Sequence, residues 1–450
     1  MSTLMASISG VRGIIGDGLD PNTIIKYTSA YADLIGKGKV VVGRDARITG
    51  EMVLSLVVGT LLAKGMDVIE IGICPTPTVQ YTVKTLNAKG GIAITASHNP
   101  NQWNALKMLN HTGQFLSPEE YTVLKSLLNT PDNKFENWNG IGKLTHTDEG
   151  LKRHVKDVLE LKLINQNEIK KRKFKVLADC VNGAGVYIIP EFLKKFGCEV
   201  IELNCERTGI FPRLPEPIPE NLTGTMEAVK ECQADLGVVV DPDVDRLVLI
   251  TNDGNPFSEE NTITQAVKFI LSKEKGNVVV NLSTTRAVDD VAKAEGQKVF
   301  RSPVGEANVV KKMKEVNAVI GGEGSGGIIY PALHYGRDAL VGIAITLQHL
   351  VEFGGTLAEL KAVLPAYFIA KKKIDLVNVN PDEVIRALTK KYDKENINTE
   401  DGLRVDFPDH WVHFRKSNTE PIIRIITEAK SRSFSEELSD KYFNEIKNLF

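Results

Sequence analysis

Three stretches of the chain repeat one pattern of apolar and polar positions. In the first, Lys39-Val40-Val41-Val42-Gly43 reads as a strand, Leu61-Leu62-Ala63-Lys64-Gly65 closes an amphipathic helix, and Val68-Ile69-Glu70-Ile71 reads as a second strand. The second copy runs Lys175 to Asp179, Phe192 to Gly197 and Val200 to Leu203, and the third runs Val278 to Asn281, Val291 to Gly296 and Val299-Phe300. An apolar strand, a helix closed by glycine and a further strand make a βαβ crossover, which builds parallel sheets covered by helices. Three copies at wide spacing predict three related α/β domains, not a short-period solenoid.

The pattern changes after Pro365. Lys371-Lys372-Lys373 interrupts the apolar run, and a helical period follows through Val384-Ile385-Arg386-Ala387-Leu388. Short strands such as Val412-His413-Phe414 and Ile422-Ile423-Arg424-Ile425 precede a terminal amphipathic helix, which predicts a smaller α+β domain. Breaks near Asn137-Trp138-Asn139-Gly140 and just after Arg246 complete the division, into 1–138, 139–246, 247–365 and 366–450. A chain of 450 residues is too long for one core, which agrees with several domains.

Charge narrows the partners. Lys and Arg nearly balance Asp and Glu, for a net charge of −2, which argues against nucleic acid and leaves small anionic substrates open. Cys74, Cys180, Cys198, Cys205 and Cys232 show neither paired spacing nor metal spacing, so they read as the reduced thiols of a cytoplasmic protein. Met1 is followed by no signal-peptide pattern, and no apolar run approaches the roughly twenty residues needed to cross a bilayer.

The strongest chemistry sits in Asp241-Pro242-Asp243-Val244-Asp245-Arg246, directly after the apolar run Leu236 to Val240. Alternation on an extended backbone points all three acids to one side. Carboxylates that close repel unless a cation neutralises them, and oxygen ligands suit a hard ion such as Mg²⁺. Arg246 beside them makes sense if a phosphate lies between. An EF-hand would want Gly at Arg246 and Glu at Asn252, so that reading fails. An aspartyl-nucleophile phosphatase, which also places Asp-x-Asp after a strand, stays open for these residues alone.

Other loops add a polar inventory. Thr95-Ala96-Ser97-His98-Asn99-Pro100 ends the strand Ile92-Ala93-Ile94; Ser97 is a candidate nucleophile or phosphate carrier with His98 as neighbour, or part of a simple backbone-bonded turn. Gly321 to Gly327 contains G-x-G-x-x-G, but strand-like Ile328-Ile329-Tyr330-Pro331 follows where a dinucleotide site needs a helix. A loop in which Glu323 and Ser325 bond hydroxyls fits better, with a plain flexible turn as the rival. Arg415-Lys416-Ser417-Asn418-Thr419-Glu420-Pro421, with Arg424, has the composition of a phosphate cradle or of a solvated turn. In Gly43-Arg44-Asp45-Ala46-Arg47 an Arg–Asp pair as structural glue is favoured over direct catalysis.

Together these loops resemble the α-D-phosphohexomutase family of phosphoglucomutases, phosphomannomutases and phosphoglucosamine mutases. The resemblance spans the chain in order: Ser9-Gly10-Val11-Arg12-Gly13, the Thr95-to-Pro100 loop, Asp241 to Arg246, Glu323 to Gly327, and Arg415 to Arg424. It implies three similar mixed-sheet α/β domains plus a smaller C-terminal α+β domain around a central cleft. It also implies a monomeric or homodimeric enzyme in which Ser97 passes a phosphoryl group to a hexose phosphate through a hexose 1,6-bisphosphate. Mg²⁺ would be held by Asp241, Asp243 and Asp245 with Ser97. Lys107 would be the general acid or base, assisted by His98, with Arg246 and Arg12 adding positive charge. Glu323 and Ser325 would hold sugar hydroxyls, and Arg415, Ser417, Asn418, Thr419 and Arg424 the phosphate not being transferred.

Three positions depart from the family. Asn104-Ala105 stands where Asn-Gly is common, so a different turn is expected ahead of Lys107. Pro242 replaces a usual Gly and stiffens the acid loop, and Gly327 replaces a common His that bears on substrate choice. The Gly322-to-Gly327 form, with His334-Tyr335-Gly336-Arg337-Asp338 downstream, is similar to archaeal-type phosphoglucosamine mutases, whereas the Arg415 loop is more like phosphogluco/phosphomannomutases. Glucosamine phosphate is the favoured substrate. A metal-dependent phosphatase and a non-catalytic sugar-phosphate sensor are the alternatives.

Overall fold

A computed structural model describes residues 2–129, 134–376, 379–416 and 422–449. The chain forms two compact units, one of Met1–Thr262 with Ser325–Lys361 and the other of Ile263–Gly324 with Ala362–Phe450.

The first unit holds two sheets. In the larger one the order is Met5–Ser7, Gly10–Ile15, Trp103–Leu109, Gly90–Ile94, Lys39–Arg44, Asp67–Ile73 and Leu144–His146, with Gly18–Leu19 beside Gly10–Ile15. Lys39–Arg44 runs parallel to both neighbours, and Val40, Val41 and Val42 are fully buried because helices cover both faces. Helices Pro21–Ile35 and Gly50–Ala63 contribute Ile24, Tyr31, Val53, Val57 and Leu61 to this core. Direction reverses at Trp103–Leu109, where Lys107 lies opposite Ala93 and Ala105 lies opposite Arg12. Three adjacent strands therefore present the serine loop, Lys107 and Arg12 together. Asn104-Ala105 forms no turn, contrary to expectation: both residues lie inside this strand, whose pairing on two sides fixes them extended.

The second sheet has the order Glu199–Leu203, Lys175–Asp179, Leu236–Val240, Leu247–Thr251, the first three parallel and the last antiparallel. Val240 pairs with Leu247, so residues 241–246 form the connection at the C-terminal end of a parallel strand, where α/β sheets place ligands. The segment Ser325–Lys361 joins this unit through the hydrogen bond from Leu247 N to Gly326 O. Its helix Ala339–Phe353 is buried along residues 339–350 and apolar nearly all round, as a core helix should be.

In the second unit, Val299–Ser302, Asn277–Asn281 and Ala318–Glu323 run parallel. A separate antiparallel sheet has the order Phe368–Asp375, Ile422–Ala429, His410–Lys416, Leu403–Asp406, Asn396–Asn398. Helices Pro381–Lys391 and Arg432–Lys447 pack on it through Val384, Leu388 and Tyr442. The lysine run does not interrupt the pattern as expected. Phe368–Asp375 passes straight through Lys371, Lys372 and Lys373, which are exposed on an edge strand, where lysine guards against edge-to-edge pairing. The fold is three α/β sheet layers plus a smaller α+β domain, as the pattern predicted. Among the described residues no helix is long and apolar enough to cross a membrane.

Candidate active site

Ser97 follows the strand Gly90–Ile94 and adopts φ +47°, a left-handed conformation that costs a non-glycine residue and needs support from its surroundings. The support is visible. Thr95 Oγ1 accepts from Ser97 N at 3.0 Å, and the buried Arg47 guanidinium donates to the carbonyls of Ser97, Asn99, Pro100 and Trp103. Asp45 holds Arg47 Nε at 3.0 Å and accepts from Thr95 Oγ1 at 2.6 Å. The loop is thus pinned in one shape with the Ser97 hydroxyl free to point away from it.

That hydroxyl donates to Asp241 Oδ2 at 2.8 Å, joining the serine and acid loops. The three acids do converge, with one oxygen from each within 4.8 Å of the others, but the cause is not strand alternation. The strand ends at Val240, and the chain turns through Val244 at φ +59°. Asp241 Oδ1 accepts from the backbone N–H groups of Asp245 and Arg246, both at 3.2 Å. Asp243 Oδ2 accepts from Lys107 Nζ at 2.6 Å and from Thr76 Oγ1 at 2.5 Å. Asp245 Oδ2 accepts from Arg337 at 2.5 Å. The opposite oxygens, Asp243 Oδ1 and Asp245 Oδ1, are buried with no hydrogen-bond partner, and so is Arg246 Nε.

Electrostatics follow from this crowding. Burial and the neighbouring Asp245 and Asp243 push the Asp241 carboxyl well above the usual carboxylate range. Burial works in the same direction on Asp243, but the Lys107 ammonium overcomes it and holds that carboxyl low. Burial would likewise lower Lys107, yet Asp243 and Asp245 keep it charged and raise its pKa. Arg246, then burial, then Arg12 depress His98 well below the ordinary imidazole value, so its ring is neutral. His98 Nδ1 lies 3.4 Å from Ser97 Oγ, and Arg12 reaches Asn99 Oδ1 at 3.4 Å. Two bare carboxylate oxygens, Asp241 Oδ2 and a serine oxygen form an all-oxygen donor set that fits Mg²⁺.

The first unit therefore gathers Ser97, His98, Lys107, Arg12, Arg246 and the three acids, with Ser325 in the connection just before Gly326. The remaining candidates lie in the second unit. Glu323 Oε1 accepts from Asn281 Nδ2 and from Gly305 N, both at 2.9 Å. Arg415 donates to Asp401 at 2.8 Å and sits directly opposite Arg424, which in turn sits opposite Lys373. Asp401 offsets one charge of this three-cation cross-strand row. Ser417, Asn418 and Thr419 lie outside the described residues.

Sequence reasoning missed several contributors. Thr76 sits in Pro75-Thr76-Pro77 at a helix start and carried no local signal for contact with Asp243. Arg337 was visible only as part of a family-like segment, and Lys373 was indistinguishable from its two lysine neighbours before the register was known.

Residues 5–134 match α/β/α domain I of phosphoglucomutase/phosphomannomutase, 152–254 match domain II, 260–367 match domain III and 373–444 match the C-terminal domain. A phosphoglucomutase/phosphomannomutase of Thermococcus kodakarensis is 37% identical over 437 residues, covering 95% of each chain. A probable phosphoglucosamine mutase of Methanopyrus kandleri is 34% identical over 440 residues, covering 96% of each. The crystal structure of a phosphoglucomutase/phosphomannomutase family protein from Burkholderia thailandensis superposes with a TM-score of 0.85 at 27% identity, covering 99% of this chain and 98% of its own. Fold and comparisons define a sugar-phosphate mutase, an isomerising enzyme. The chain belongs to the phosphoglucomutase/phosphomannomutase family, the α-D-phosphohexomutases.

Proposed function

We propose that the protein moves a phosphoryl group between O6 and O1 of a hexose phosphate through Ser97, with glucosamine 6-phosphate and glucosamine 1-phosphate as its preferred pair. One observation carries the reading: Ser97 Oγ touches a buried acid triad in which Asp243 Oδ1, Asp245 Oδ1 and the nearby Arg246 Nε make no hydrogen bond, Arg246 Nε standing 3.8 Å from Asp245 Oδ1. Buried polar groups left bare cost free energy that a ligand recovers. Bare oxygens suit a hard cation and a bare guanidinium N–H suits a phosphate oxygen.

Asp241, Asp243, Asp245 and Ser97 Oγ would hold Mg²⁺, which neutralises charge on a phosphoryl group when bound. Phosphorylated Ser97 gives its phosphoryl group to the free sugar hydroxyl. The Ser97 O–P bond breaks, the sugar O–P bond forms, and a hexose 1,6-bisphosphate results. The hydroxyl loses one proton and Ser97 Oγ gains one. Lys107 serves as the general acid or base for these protons, with His98, 3.4 Å from Ser97 Oγ, assisting. Attack by Ser97 Oγ on the other phosphate restores the phosphoserine and releases the isomer.

Arg246 and Arg12 bear the positive charge that offsets the transferring group. Glu323 and Ser325 bind sugar hydroxyls, and Arg415, Arg424, Ser417, Asn418 and Thr419 bind the second phosphate. Glucosamine is favoured by the Gly322-to-Gly327 and His334-to-Asp338 segments and by the name of the Methanopyrus relative. A phosphatase with Asp241 as nucleophile is the weaker reading, because both Asp241 oxygens are already engaged. Five unpaired cysteines suit a cytoplasmic enzyme.

A coupled assay primed with hexose 1,6-bisphosphate, comparing glucosamine, glucose and mannose 6-phosphates on wild type and Ser97→Ala, tests this. The highest kcat/KM should fall to glucosamine 6-phosphate, and Ser97→Ala should isomerise nothing while still binding Mg²⁺ by calorimetry. Wild-type-like turnover by Ser97→Ala discards the carrier, faster glucose or mannose reassigns the sugar, and release of inorganic phosphate without isomer favours the phosphatase.

A further inference from the structure

We infer that Arg337 positions Asp245 for the metal, and that position 327 is glycine so that the Arg337 side chain can lie across it. The inference rests on the metal reading of the three acids and adds to it a coupled pair outside the acid loop.

Asp243 and Asp245 are built alike. A cation takes one oxygen of each, Lys107 at Asp243 Oδ2 and Arg337 at Asp245 Oδ2, with Lys107 a further 3.6 Å from Asp245 Oδ2, and the other oxygen of each makes no hydrogen bond. A carboxylate gripped on one side has its rotation fixed, so the free oxygen faces a set direction. Partners of this kind around a metal ligand are worth roughly ten- to a hundredfold in metal affinity.

Arg337 is itself held from behind. Its backbone bridges Ile329, and the next residue, Asp338, donates its N–H to Ile328 O at 2.9 Å. The Asp338 carboxylate meets His154 Nε2 at 2.7 Å and His334 Nε2 at 3.1 Å, and caps the helix through Leu340 N at 2.9 Å. From this fixed base the side chain crosses Gly327. A Cβ at position 327 would lie 2.3 Å from Arg337 Cδ and 2.9 Å from Cγ. No left-handed backbone demands glycine there; it is the arginine stem that would have to shift for a side chain. A side chain at 327 has to displace the Arg337 stem, and with it the guanidinium that meets Asp245. Glycine at 327 therefore leaves room for the Arg337 stem and a guanidinium on the acid loop.

The test is Mg²⁺ affinity by isothermal titration calorimetry, with no substrate present. Gly327→Ala keeps every charge in place and should weaken Mg²⁺ binding roughly tenfold or more by pushing Arg337 off Asp245. In the Arg337→Ala background the same glycine substitution should change nothing, since no stem remains to displace. Arg337→Lys, which keeps the charge but loses the planar fork, should fall between wild type and Gly327→Ala. Equal losses from Gly327→Ala in both backgrounds, or wild-type affinity in Gly327→Ala alone, overturn the inference. If Arg337→Ala does not fold, the single Gly327→Ala measurement still decides. A wild-type protein that binds no Mg²⁺ removes the metal reading and this inference together; wild-type binding with an insensitive Gly327→Ala removes this inference only.

Discussion

Arg47 Nη2 donates to the carbonyl oxygen of Ser97 at 2.5 Å, from a side chain with no exposed surface. The other guanidinium N–H groups reach Asn99 O, Pro100 O, Trp103 O and Asp45 Oδ2, so all five donors of the fork are used. Arg47→Met should leave Asp45 buried and unpaired and strip four carbonyls of a donor. A loss of about 3–5 kcal/mol is expected, from the cost of breaking a buried ion pair. Denaturant melts check it. Arg47→Lys restores charge without the fork and should recover only part, and a midpoint equal to wild type in Arg47→Met would remove Arg47 as the support of the serine loop.

How much of this site could be read from the chain depends on distance along it. Ser97 and the acids were legible because each lies in a polar loop just after an apolar strand, and the Arg47–Asp45 pair is only two residues apart. Thr76 and Asp243 are 167 residues apart, and Arg337 and Asp245 are 92 apart; no local spacing encodes either contact. The convergence of the acids was legible but its geometry was not. A period of two suggested an extended chain, whereas Val244 in the left-handed region makes a turn that side-chain pattern does not announce. The three βαβ units were plain because Val-rich runs buried on both faces differ sharply from their amphipathic helices.

Gly183 should not tolerate a side chain. A Cβ there would lie 2.6 Å from Pro242 Cα and 2.8 Å from Pro242 O, while Ala184 N donates to Pro242 O at 2.8 Å. Proline cannot rotate its φ to yield, so Gly183→Ala must push the acid loop. The expected cost is about 1–3 kcal/mol of stability, as for overpacking elsewhere, together with weaker Mg²⁺ binding. Thermal melts and calorimetry read both, and a variant equal to wild type in each would show that the loop moves freely.

Mg²⁺ should stabilise the folded chain. A ligand that binds only the native state adds about 2.7 kcal/mol at a hundred times its dissociation constant. Melting with excess Mg²⁺ against excess chelator should show a rise that Asp243→Asn largely abolishes. An Asp243→Asn variant with the full Mg²⁺ increment would take Asp243 out of the metal set.

His413 should make stability pH-dependent in a defined window. Its ring is buried between Ser283 and the chain turn at Asp401. Nε2–H donates to Asp401 O at 2.6 Å, so Nδ1 is the acceptor for the Ser283 hydroxyl at 2.9 Å. Burial, with help from Arg404 and Arg415, lowers its pKa to about 4 against the opposing pull of Asp401. An unfolded histidine titrates near about 6.5, so between those values the unfolded chain binds the extra proton and the native chain does not. Stability from this group is therefore complete above the unfolded pKa and declines as pH falls toward about 4, with a limiting slope of about 1.4 kcal/mol per pH unit. Denaturant melts of wild type and His413→Gln from pH 7.5 to 4 isolate the effect, because the other titrating groups are common to both. The wild-type curve should fall more steeply than the variant's across that window; parallel curves would mean that the ring is protonated, or stays exposed, in the folded chain.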